Sequence, residues 1–175
     1  MGPPFTHLPN PSSLARMPEP KTPASSLPST GFAVVAQYIR DMSFEGPAHP
    51  QDVQVNEAPK IDVNVTAQTR PLEDNAFEVT LQTRAHAQVA GKNAFLIELA
   101  YAGIVSVPPG IPEEQLKFLL LAEVPRYLFP FARAIVANAT REGGFPPLLL
   151  QPIDFNALYQ QQLQRASTAP AAGTA

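Results

Sequence analysis

The chain has 175 residues, 45% of them hydrophobic and only 15% charged, with 21 prolines. That length suits one domain with tails, or at most two small domains, and the apolar fraction is enough for a core. A net charge of −3 without any basic block argues against nucleic acid as the main partner, and the lack of cysteine excludes disulfides and thiolate metal sites. No run approaches the ~20 apolar residues of a membrane span. No basic region followed by an apolar run opens the chain, so a soluble protein that stays where it is made is expected.

Residues 1–31 are rich in Pro, Ser and Thr without any period, and read as a disordered extension, with Met17 an alternative start. Residues 32–165 hold the folded domain, and the Ala/Thr/Pro tail 166–175 reads like the extension. The first strand is predicted over Tyr38–Pro47. Strict alternation puts Tyr38, Arg40, Met42 and Phe44 on one face and Ile39, Asp41, Ser43 and Glu45 on the other. A Pro-containing loop, Gly46 to Pro59, follows; loops of that length are often functional. Ile61–Gln68 and Phe77–Val89 alternate as half-buried strands, joined by a plausible hairpin loop at Pro71–Asn75. Ala90–Asn93 is a turn into a fourth alternating strand from Phe95 to Ala102, which makes a hairpin of strands three and four.

After Pro108-Pro109-Gly110 the period becomes helical. Pro112 suits a first helical position, with Glu113 and Glu114 at the positive end of the dipole. Leu116 to Val124 is apolar nearly all round, which marks either an interface or ordinary core. Pro125 and Pro130 are expected to break or kink this helix, and Gly143-Gly144 to end it. Phe145–Pro152 is an extended apolar segment, and Asp154 is a good N-cap for a last helix to about Arg165. Four strands followed by helices is an α+β pattern: a four-stranded antiparallel sheet with helices packed on one face.

Little chemistry is visible. His7, His49 and His86 have no ligand spacing, so no metal site is expected, and neither a phosphate loop nor a nucleophile elbow appears. Asp41 and Glu45 read either as an acid–base pair or as solvated surface charge, and Asp154 as a cap. Nothing demands an enzyme or a cofactor.

Four blocks, in order, carry a resemblance. They are Tyr38-Ile39-x-Asp41-x-Ser43-Phe44-Glu45-x-Pro47, Ala94-Phe95-Leu96-Ile97-Glu98, Leu128-Phe129-Pro130-Phe131-Ala132-Arg133, and Gly144-Phe145-Pro146-Pro147-Leu148 running through Pro152-Ile153-Asp154-Phe155-Asn156-Ala157-Leu158. Together they resemble the bacterial export chaperone family SecB. The resemblance implies a cytoplasmic homotetramer, a dimer of dimers with helices sandwiched between two sheets. It implies an ATP-independent chaperone that holds unfolded precursor proteins in apolar grooves and delivers them to the translocase ATPase SecA. Carried over by position, the client groove falls on Val53, Val55, Ile61, Val63, Leu148, Leu150, Phe155, Leu158 and Tyr159. The SecA-docking patch falls on Asp41, Glu45, Leu96 and Glu98, where carboxylates would attract a basic, zinc-bound tail of the partner. Strand parity agrees with that patch, since all four positions lie opposite the core residues Phe44, Phe95 and Ile97. The loop after strand one lacks aromatic residues, and the C-terminal tail lacks an acidic cluster. Two other readings stay open: a SecB-like chaperone dedicated to one client such as a toxin, and a small apolar-ligand-binding α+β protein.

Overall fold

In the computed structural model the described residues are 31–47 and 58–168. Most of the expected disordered extension, the tail beyond Thr168 and the centre of the loop between strands one and two lie outside them. Four strands, β1 (Ala33–Glu45), β2 (Lys60–Pro71), β3 (Ala76–Val89) and β4 (Lys92–Ser106), form one antiparallel sheet in the order β1-β4-β3-β2. The two hairpins turn on pairs of left-handed residues, Asp74 and Asn75 (φ 54° and 55°) and then Ala90 and Gly91 (φ 48° and 78°). Two successive positive φ angles give a turn whose twist matches that of the strands. The second turn is thus tighter than expected, with Asn93 already paired to Gln88 in the ladder.

One face of the sheet is the core. Val79, Leu81, Ala85 and Ala87 of β3 share it with Phe95, Ile97, Leu99, Tyr101 and Val105 of β4, all buried. Helices α1 (Glu113–Phe118) and α2 (Val124–Glu142) flank a π-helical segment, Leu119–Glu123, and α3 covers Phe155–Thr168. Leu119 and Val124 keep right-handed helical angles, so α1, the π turn and α2 are one continuous run. Pro125 lacks an N–H and its ring crowds the carbonyl one turn back; the wider π turn just ahead accommodates it. The expected break at Pro125 is therefore a change of helix type, and Pro130 sits inside α2 without ending it. Gly103 lets α2 approach β4 closely: a Cβ there would lie 2.8 Å from Leu128 Cδ2. Leu119, Leu120, Ala122 and Val124 are buried within the protomer. The apolar excess of Leu116–Val124 is thus mostly core, and exposed apolar side chains lie elsewhere, among them Tyr127 and Phe131 on α2 and Val35, Ile39 and Met42 on β1.

The end of α2 sets the course of the chain beyond it. Phe145 N–H donates to the Thr140 carbonyl (3.0 Å) and Gly144 N–H to that of Arg141 (3.0 Å), with Gly144 left-handed at φ 86°. This paired closure needs a residue free to adopt positive φ, which Gly supplies. Phe145 then packs on Phe95 (centroids 5.2 Å) and Phe44 (6.4 Å). The fully buried Thr140 hydroxyl accepts the Leu148 N–H at 2.9 Å and lies 3.1 Å from the Val136 carbonyl, to which it donates. These contacts hold residues 145–153 as an extended strap. Asp154 Oδ1 then accepts the Ala157 N–H at 3.0 Å and caps α3.

Strict alternation fails in β1. The ladder to β4 shifts between Ile39 and Asp41, so Arg40 is an extra residue. Tyr38 consequently shares the outer face with Asp41, Ser43 and Glu45, and Ile39 joins Met42 and Phe44 on the helix face, which corrects the strict alternation expected for Tyr38 and Ile39. Arg40 also turns outward: its Nη1 donates to Glu78 Oε1 at 2.9 Å. Tyr38 Oη donates to Glu78 Oε2 (3.0 Å), and so does Arg70 Nη2 (2.7 Å). Glu78, on β3, is 3% exposed. To reach it, Tyr38 and Arg40 span β4, about 10 Å at the usual strand spacing. Ala102, paired with Tyr38, leaves room for that crossing. The hydrogen bond from Arg70 is the main reason that the Glu78 carboxyl titrates below its ordinary 4.5, with Tyr38 and the charge of Arg40 acting in the same direction against burial.

Two outcomes follow from these contacts. Thr140→Val keeps the shape but strands the Leu148 N–H, which costs about 1–3 kcal/mol in urea unfolding, whereas Thr140→Ser restores most of it. A carboxylate whose folded pKa lies below its unfolded value stabilises fully above pH 4.5 and loses that contribution as pH falls through the lowered value. Stability measured from pH 6 downward should therefore decline in that acid window, and Glu78→Gln should flatten the decline.

Candidate functional site

Two surfaces stand out, on opposite sides of the sheet. The first is apolar. Edge strand β2 and the strap enclose a groove of about 520 Å³, lined by Ile61, Val63, Val65, Leu148, Leu149 and Leu150 among others. Through Ile61 and Leu148 it meets a cavity of about 140 Å³ bounded by Phe95, Phe145 and Pro147. Through Val65 and Leu158 it meets another of about 220 Å³, bounded by Leu121, Phe155 and glutamines of α3. The three share walls and make one trough along β2. Its two sides have different origins. Ile61, Val63 and Val65 face it because period-two alternation puts them on the helix face at the sheet edge, opposite Ala87, Ala85 and Thr83. The strap leucines face it because Thr140 and Phe145 hold that segment alongside.

Of the residues predicted for a client groove, Ile61, Val63, Leu148, Leu150 and Leu158 come together here. Phe155 borders the adjoining cavity but is buried, edge-on to Phe129 at 5.7 Å. Tyr159 is buried against Phe118, also at 5.7 Å, and lines none of the three cavities. Val53 and Val55 lie outside the described residues. Sequence reasoning did not select Val65, Leu149 or Ile153. Val65 continues the alternation of Ile61 and Val63 but is not among the positions that the resemblance carries over. Leu149, 59% exposed, had no local signal, because an extended segment without a ladder has no fixed parity.

The second surface is the uncovered face of the sheet. Residues sort there into cross-strand rows: Glu45-Leu96-His86-Asp62, then Ser43-Glu98-Arg84-Asn64, then Asp41-Ala100-Gln82-Thr66. Asp41, Glu45, Leu96 and Glu98 thus share one surface, with Asp62 on the same face beyond His86. Glu98 is paired with Arg84 at 3.3 Å, and both are well exposed. Asp41 and Glu45 are exposed and form no ion pair among the described residues. Two further rows, Tyr38-Ala102-Thr80-Gln68 and Ala36-Ile104-Glu78-Arg70, carry the Glu78 network. The face therefore has an acidic end and an end where two guanidiniums surround one carboxylate.

No titratable side chain lines any of the three cavities. The trough offers apolar contact, and the outer face offers charge. Among the described residues no three His, Asp or Glu side chains gather as a metal site, and no helix is long and apolar enough to cross a membrane.

Residues 26–166 match the family described as Preprotein translocase subunit SecB. A protein-export protein SecB from Rhodospirillum centenum is 50% identical over 141 residues, covering 80% of this chain and 82% of that one. The corresponding protein of Bradyrhizobium diazoefficiens is 44% identical over 149 residues, covering 85% and 92%. Among solved structures, a Mycobacterium tuberculosis SecB-like chaperone in complex with an antitoxin peptide has a similar fold, with a TM-score of 0.59 at 15% identity over 70% of this chain and 90% of that one. With the matched region spanning most of its length and half of the aligned positions identical in one relative, the chain belongs to the SecB family of protein-export chaperones.

Proposed function

We propose that the protein is an ATP-independent cytoplasmic chaperone that holds unfolded precursor proteins in the trough along β2 and passes them to SecA. The observation that carries this reading is the trough itself. It is long, apolar and free of converging charge, and its length suits an extended chain better than a compact ligand. Unfolded clients differ in sequence, so their holder needs broad apolar contact with little directional bonding. Open backbone along edge strand β2 adds hydrogen bonds that any extended segment can use. The exposed Ile39, Met42, Tyr127 and Phe131 support self-association, and they fit the dimer of dimers that the family resemblance implies. No cofactor takes part in this function.

Asp41, Glu45, Leu96 and Glu98 form the docking surface for a basic segment of SecA on this reading. Three carboxylates around one apolar side chain give long-range attraction plus a small desolvated contact. Because Glu98 is shared with Arg84, the unpaired Asp41 and Glu45 carry most of the free negative charge.

A second reading, a chaperone dedicated to one client, draws on the mycobacterial structure with its antitoxin peptide. A native pull-down separates the two: many unfolded precursors for a general chaperone, one partner for a dedicated one. None of the three cavities carries a carboxylate, so they lend the small-ligand reading no support.

The purified protein is expected to run at about four chain masses in light scattering and to suppress aggregation of a denatured protein without nucleotide. A monomer without suppression refutes the reading. Leu149→Asp with Val63→Asp puts charge into the trough and should weaken client holding at least tenfold, because an unpaired charge is costly against apolar surface. Asp41→Lys with Glu98→Lys should keep the tetramer and client holding but abolish SecA binding in calorimetry.

A further inference from the structure

Arg40 is the chain neighbour of Asp41, and the bulge turns both onto the outer face. A guanidinium on a flexible stem at that position has two carboxylates to choose from: Asp41 beside it, or Glu78 across β4. It takes the distant one, at 2.9 Å. Arg40 is 51% exposed along its side chain, so packing alone does not force that choice. Glu78 also holds Arg70 at 2.7 Å, and its near-complete burial makes it the stronger attractor of the two acids. Both oxygens are occupied, Oε1 by Arg40 and Oε2 by Arg70 and Tyr38. The two cations are thus gathered at the far end of the face, and the rows of Asp41 and Glu45 are left negative.

We propose that Glu78 is a positioning residue for the acidic docking surface: it draws Arg40 across β4 and so keeps it from neutralising Asp41, which a cationic partner needs free. The inference rests on the docking surface proposed above and adds how its charge is maintained. Glu78 touches no partner itself. Arg40 acts as a built-in competitor, held off by one carboxylate and released if that carboxylate is lost. Arg84 has no such restraint and already competes for Glu98.

The test is a calorimetric titration of the full-length protein with SecA at low ionic strength, for the native chain and four variant forms. Glu78→Gln removes the charge that attracts Arg40 and should weaken binding about three- to fivefold, the range of an exposed ion pair. Arg40→Gln should bind at least as tightly as the native chain. The double variant should bind like Arg40→Gln, because no cation remains to be released. That rescue separates positioning from general loosening of the sheet, which the second substitution would not repair. Glu78→Gln with unchanged affinity overturns the proposal, and so does a double variant as weak as Glu78→Gln alone. The fourth form, Asp41→Lys with Glu98→Lys, tests the surface itself. If it binds SecA normally, the docking reading fails and the positioning role falls with it. If it loses binding while Glu78→Gln does not, only the positioning role fails.

Discussion

The trough depends on one hydroxyl that serves two partners at once. Thr140 sits in the last turn of α2, buried, and its O–H donates back into the helix while its oxygen accepts the Leu148 N–H. A hydroxyl has one proton and two lone pairs, so it can serve the helix and the strap at once. Without that acceptor the strap would lose its bond to the helix end. Phe145, five residues after Thr140, adds apolar weight by packing on Phe44 and Phe95. The closeness of this corner is visible at Gly143, where a Cβ would overlap the Phe44 ring. The strap, and with it one wall of the trough, is positioned by the end of α2 and by the sheet together.

The other wall is a sheet edge. Exposed edges invite pairing with other chains, and most folds blunt them with charge, proline or a covering element. Here β2 carries Ile61 and Val63 on its inner face, both exposed, with the strap standing off far enough to leave a groove. A chaperone for unfolded chains turns that hazard to use. On the function proposed, the surface that elsewhere would seed aggregation would supply apolar contact and unpaired backbone to a client beside the strap.

The strands, their pairing in hairpins and the caps were legible because each rests on local period or local chemistry, whereas the trough positions Ile61, Val63, Leu148, Leu150 and Leu158 came only from the family resemblance. Three things were not legible. The bulge at Arg40 has no Gly or Pro to announce it, and strict alternation therefore put Tyr38 and Ile39 on the wrong faces. The parity of Asp41 and Glu45 survived because both lie beyond the bulge, on the same side as the Phe44 used to orient them. The π turn was hidden because Pro125 signals a disturbance but not how the helix absorbs it. Glu78 read as an ordinary outward residue of an alternating strand. Its partners Tyr38 and Arg40 are about forty positions away, and only the order β1-β4-β3 brings them across β4.

The two surfaces lie on opposite sides of a sheet only one residue thick, and that geometry bears on how the proposed steps can be linked. A client held in the trough, as proposed, would touch the helix face of β2, while the acidic rows lie on the outer face of β1 and β4. On the function proposed, client and motor would therefore meet different faces of the protomer. Any coupling between them has to pass through the strands. Glu78 sits on β3 between the two edges, bonded to Arg70 on the trough strand and to Tyr38 and Arg40 on the docking strand. A shift of β2 on client entry would move Arg70 first and alter the competition for that carboxylate. On that reading the network would join the edge proposed to meet the client to the cation proposed to govern the charge of the docking surface.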